Sequence, residues 1–198
     1  MRGWPFVVVA CLVGACSGYD PNSGVIIKTT DGGDDAGSGG GESGAGDDSA
    51  VAPPVDPFAG APAFAAGSAP RASVVSKHLS EVGASPTGKD CFASGCHGNS
   101  GDAPSLVFGG TVYTDSSAKA PAVGVEVRVV DANSKAYSVY SDTNGNFYQL
   151  GTGSLAFPSH PGVRTAANSL AMVNDSTDRS CNKSGCHDGT TQAPVYAP

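Results

Sequence analysis

Residues 31 to 56 carry seven acids, Asp31, Asp34, Asp35, Glu42, Asp47, Asp48 and Asp56, and not one Lys or Arg, in a run dominated by Gly and Ser. Such a stretch buries too little apolar surface to offset the entropy lost on ordering, so a flexible, self-repelling tether is expected over 16–70. Pro53, Pro54, Pro57, Pro62 and Pro70 stiffen its second half. Folding capacity is thereby confined to about residues 71–198, which suits one small domain. The formal net charge of -7 resides in the acidic window, since the remaining acids and bases balance. No basic stripe of the kind that nucleic acid requires is present.

Ahead of the tether, Arg2 followed by the apolar run Phe6 to Val13 reads as an export signal over residues 1–15, too short to span a bilayer. Val13-Gly14-Ala15-Cys16 resembles the lipobox of bacterial lipoproteins. That resemblance implies lipidation at Cys16, loss of Cys11 with the signal, and a cell-envelope location with the membrane as partner through the lipid anchor. Of six cysteines, four then remain as two local pairs. In an oxidising compartment paired thiols require a disulfide, a cofactor or a metal.

The middle of the chain has period two. In Val123-Gly-Val125-Glu-Val127-Arg-Val129-Val130 the valines fall on one face, with Glu126 and Arg128 on the other, as in a half-buried strand. Asp131 to Lys135 supplies a turn into a strand at 136–141, and Asn144-Gly145 predicts a tight hairpin into Phe147 to Leu150. Further short strands are expected at 111–114, 155–157, 162–165 and 170–173. The expected class is mainly β, a small antiparallel β-sandwich over 107–175. Gly110-Thr-Val-Tyr, Pro121-Ala-Val-Gly-Val-Glu-Val and Ser141-Asp-Thr-Asn-Gly-Asn-Phe resemble carboxypeptidase regulatory-like (transthyretin-like) domains. The resemblance implies a scaffold or binding module without catalytic residues of its own. Turn chemistry accounts for Asp142, Asn144 and Asn146 without calcium.

Flanking this domain, Cys91-Phe-Ala-Ser-Gly-Cys96-His97 within 71–106 recurs as Cys181-Asn-Lys-Ser-Gly-Cys186-His187 within 176–198, at an offset of 90 residues. Lys89 answers Arg179, and Ala103-Pro104 answers Ala193-Pro194. Two thiols followed at once by an imidazole is the arrangement of c-type haem attachment, with two thioether bonds and one axial iron bond. The four-residue spacing, longer than the usual two, resembles sites found in multihaem c-type cytochromes. On that resemblance Cys91, Cys96 and His97 hold one haem c and Cys181, Cys186 and His187 another. His78 and His160 are then one spare axial ligand for each iron, with Met172 competing at the second. His78 falls in a short amphipathic helix near 74–82 and His160 in a loop.

Two alternatives use the same residues: disulfides Cys91–Cys96 and Cys181–Cys186 stapling the two ends of a binding module, or a zinc site of cysteine and histidine. No nucleophile elbow, phosphate loop or His-Glu-x-x-His pattern supports an enzyme. The expected function is electron transfer at the cell envelope, with redox proteins as partners.

Overall fold

The computed structural model describes residues 55–65, 72–98 and 103–198. The expected export signal, Cys16 and the tether up to residue 54 lie outside the described residues. The described chain contains one helix, α1 (Val75–Val82), and six strands: β1 (Leu106–Thr111), β2 (Glu126–Val130), β3 (Ala136–Tyr140), β4 (Asn146–Leu150), β5 (His160–Arg164) and β6 (Ser169–Ala171). They form two antiparallel sheets, β1-β4 and β3-β2-β5-β6, and the fold is a mainly β sandwich. Between the sheets lies a core of Phe108, Val112, Val125, Val127, Val129, Val139, Phe147, Leu155 and Val163.

Strand β2 sets the register. Val125, Val127 and Val129 are buried in the core, each contributing about 1.5–3 kcal/mol by leaving water. A slip of one residue would turn all three outward and carry Glu126 and Arg128 into the core. The turn into β3 is built by Asp131, whose Oδ1 accepts from Asn133 N and Lys135 N, both at 2.9 Å.

The Asn144-Gly145 turn also forms, with Gly145 at φ 74°. Asp142 Oδ1 accepts from Asn144 N at 2.8 Å and Asn146 N at 2.9 Å. The strands it joins, however, are not hairpin partners: β3 pairs with β2, while β4 pairs with β1. The turn carries the chain from one sheet to the other, and Gly110 of β1 leaves the space that the Phe147 ring fills. The strand expected at 111–114 lies earlier, at 106–111, and 155–157 is no strand; Leu155 there plugs the core. His160 is not in a loop but opens β5.

The outward face of the four-stranded sheet is covered. Residues 55–65, expected within the tether, lie across it as a strap: Arg128 Nε donates to Pro57 O at 2.8 Å and Arg164 Nη2 to Pro62 O at 2.6 Å. The Arg164 guanidinium sits 4.7 Å from the centre of the Phe58 ring, and Phe64 meets Tyr140 edge-on at 5.9 Å. Gly162 makes the slot, since a side-chain carbon there would lie 2.6 Å from Pro57 Cγ. Glu126 is therefore 2 % exposed rather than solvated, and it is neutralised by Arg164 Nε at 2.7 Å.

Candidate functional site

The two cassettes are expected at opposite ends of the sandwich, yet both pack against the same strand. A side-chain carbon on Gly109 would lie 3.4 Å from Cys91 Sγ, and one on Gly110 would lie 2.9 Å from Cys181 Cβ. Cys91 thus lies over Gly109, while Cys181 lies beside Gly110. Glycine in a strand interior marks such close approach, and Gly109-Gly110 is the local signal that sequence reading passed over. Gly109 N donates to Arg179 O at 3.0 Å and Cys181 N to Gly109 O at 3.1 Å, which brings the second cassette onto the edge of β1. Thr111 fixes both: its Oγ1 accepts from Gly88 N at 2.9 Å, and its N donates to Asn182 Oδ1 at 2.6 Å. The Arg179 guanidinium covers the Phe92 ring at 4.5 Å, linking one cassette to the other. Beside that contact a cleft of about 250 Å³ is lined by Asp90, Phe92, Phe157, Asp178, Arg179 and Lys183.

Within each cassette the backbone repeats as the sequence does. His97 N donates to Cys91 O and His187 N to Cys181 O, each at 3.0 Å; Cys96 N donates to Ala93 O and Cys186 N to Lys183 O, each at 2.9 Å. Gly95 at φ 82° and Gly185 at φ 87° permit the tight path. Both imidazoles are held by a backbone carbonyl of the segment that follows, His97 Nδ1 by Pro104 O and His187 Nδ1 by Ala193 O, each at 2.7 Å, although the two acceptors differ by one position, since Pro104 answers Pro194 in the repeat. A carbonyl only accepts, so Nδ1 carries the proton and Nε2 keeps its lone pair in the neutral ring. A bond of this kind from the other ring nitrogen is what orients a histidine for metal ligation.

His78 stands beside His97, with ring centroids 5.8 Å apart and planes at 54°. Its Nδ1 is likewise engaged, to Val74 O at 2.9 Å. The helix that carries it is hung from the turn after β3: Val74 N donates to Asp142 Oδ2 at 3.3 Å, and Ser73 Oγ bonds Asn144 Oδ1. Val75, His78, Leu79 and Val82 share one helix face by spacing. No residue of α1 is buried, and Leu79 and Val82 are 52 % and 67 % exposed. An apolar face with a histidine in its midst thus adjoins the first cassette.

Comparison with known proteins gives no match to any family model, curated protein or solved structure.

His160 and Met172 lie elsewhere. His160 Nδ1 is 2.8 Å from Asp175 Oδ1, and Met172 N donates to Pro161 O at 2.9 Å beside the end of β6. Among the described residues, no three His, Cys, Asp or Glu side chains converge as a metal-holding group, so a zinc site has no assembled ligand set there. Likewise among the described residues, the buried polar side-chain atom lacking a partner is Ser180 Oγ, directly before Cys181, a position at which a bound group or water is expected. No helix among the described residues is long and apolar enough to cross a membrane.

Cys91, Cys96 and Cys181 carry no disulfide. Burial pushes the Cys91 and Cys181 thiols up to about 12, helped at Cys91 by the Asp90 carboxylate and then the Cys96 sulfur, and at Cys181 by the Cys91 and Cys186 sulfurs. Cys96 is exposed. Because the thiolate is the nucleophile, iodoacetamide at pH 8 should label Cys96 of reduced, cofactor-free chain at least ~10-fold faster than Cys91 or Cys181. Peptide mass spectrometry over time measures this, and equal rates would contradict the burial of the two first-position thiols.

Proposed function

We propose that this chain is an exported, lipid-anchored electron-transfer protein of the cell envelope that carries haem c on its two cassettes. The observation that carries the reading is the repeat in three dimensions: two Cys-x4-Cys-His loops with the same backbone closures, each with its imidazole Nδ1 held by a carbonyl of the segment that follows, the first of them beside a further histidine. The residues present fit the group. Cys91 with Cys96, and Cys181 with Cys186, would form the thioethers; His97 and His187 would bind the iron, and His78 is the further imidazole available to the first. When bound, the group supplies one-electron exchange at its iron.

The chain's own residues position and shield. The Pro104 and Ala193 carbonyls hold each imidazole in one tautomer and raise its basicity as a ligand. Val75, Leu79 and Val82 offer an apolar cover that would keep water from one haem face. The sandwich, in the manner of the regulatory-like domains it resembles, is scaffold without catalytic groups. Cys16 would carry the lipid, the acidic tether would set reach from the membrane, and redox proteins would be the partners.

The test is the pyridine haemochrome spectrum and a haem-stained denaturing gel of the full chain made in a host with cytochrome c maturation machinery. Two covalent haems per chain are expected, falling to one when Cys91 and Cys96 are both replaced by serine. A colourless chain would reject the proposal.

A further inference from the structure

We infer that the two cassettes differ in ligation, the first closed by His78 and the second open to an exogenous diatomic ligand such as carbon monoxide or nitric oxide. The inference rests on the haem reading above.

The whole chain has four histidines, and two of them belong to the cassettes. Of the other two, only His78 has been brought to a cassette, at 5.8 Å from His97 between ring centroids. The offset of 90 residues that relates the cassettes maps His78 onto Asn168. Asn168 has no imidazole and lies in the turn between β5 and β6, where its carbonyl accepts from Thr165 N at 2.9 Å. The repeat therefore includes the thiols and the histidine, but not the helix that presents His78.

His160 does not take that place. It opens β5 opposite Val130 in the four-stranded sheet, and its Nδ1 is paired with Asp175. Met172 is hydrogen-bonded at the same sheet's margin, beside Pro161. The second cassette instead sits on β1, in the other sheet. The stretch after His187 is closed on itself: Asp188 Oδ1 accepts from Thr190 N at 2.8 Å and Thr191 N at 2.7 Å, and Gly189 N donates to Gln192 O at 3.0 Å. Among the described residues no second histidine or methionine is brought to His187, so a haem held by this cassette would leave its iron open to a small ligand. Access to that position separates ligand binding from pure electron transfer.

The full chain is first shown by pyridine haemochrome to hold two covalent haems, then reduced with dithionite and titrated with carbon monoxide while its absorbance is followed. One carbon monoxide per chain is expected. His78→Ala should raise this to two, whereas His160→Ala and Met172→Ala should each leave it at one. No uptake, uptake of two by the unmodified chain, or uptake that appears only in His160→Ala or Met172→Ala would overturn the inference while leaving the haem reading intact. A chain without covalent haem overturns both.

Discussion

Gly145→Ala is expected to cost at least ~3 kcal/mol of stability, enough to unfold a marginal domain. Two penalties act together. The residue sits at φ 74°, where an L side chain costs about 1–2 kcal/mol. Its new carbon would also lie 2.4 Å from Val112 O and 2.9 Å from Pro121 Cβ, and a backbone carbonyl cannot step aside as a flexible side chain does. Gly124→Ala is the matched control, because Gly124 has φ 70° and nothing within 4 Å of the added carbon; it should cost only about 1–2 kcal/mol. Urea unfolding followed by circular dichroism measures both. Equal midpoints would show that the turn is not packed under Val112. Since Asp142 and Asn144 of this turn hold the start of α1, Gly145→Ala chain that still folds should also lose the registration of His78 with His97.

The second large effect is expected from Glu126→Ala, at about 3–5 kcal/mol. The carboxylate is buried beneath the strap and receives Arg164 Nε at 2.7 Å and Tyr140 Oη at 3.3 Å. Removing it strands a guanidinium whose side chain is only 13 % exposed. Pro62 O and the Phe58 ring still partner that cation, which places the cost toward the lower end of the range. Replacing Glu126 and Arg164 together by methionine should cost less than Glu126→Ala alone, because no charge is left unpaired. A loss below ~1 kcal/mol for Glu126→Ala would be the behaviour of a surface pair, and would mean that residues 55–65 do not cover the sheet.

That strap marks where sequence reading stopped. Alternating valines 125, 127 and 129, the Asp131 turn and the positive φ at Gly145 were all legible, because each is local chemistry within a few residues. What a turn residue does not encode is the partner of the strands it joins, so Asn144-Gly145 read as a hairpin when it is a crossing between sheets. Pro57, Phe58 and Pro62 read as linker by composition. Their docking depends on a slot at Gly162 and on cations at Arg128 and Arg164, the first 71 residues beyond Pro57 and the second 102 beyond Pro62. Likewise the cassettes announce themselves by repetition, but their meeting across Gly109-Gly110 is a long-range event with only two adjacent glycines to signal it. His78 is legible as a spare histidine on a short amphipathic helix, whereas its nearness to His97 depends on the distant turn from which that helix hangs. His160 is a spare histidine by the same count, and no local signal in the sequence gives its pairing with Asp175.

Attached haem and stapled disulfide make opposite demands on the same four thiols, and intact mass separates them directly. The chain purified from a host able to mature c-type cytochromes is weighed before and after reduction under denaturing conditions. A mass raised by two haem groups, and left unchanged by reduction, is expected. A mass without haem that instead rises by about two hydrogens per bridge on reduction would contradict haem attachment.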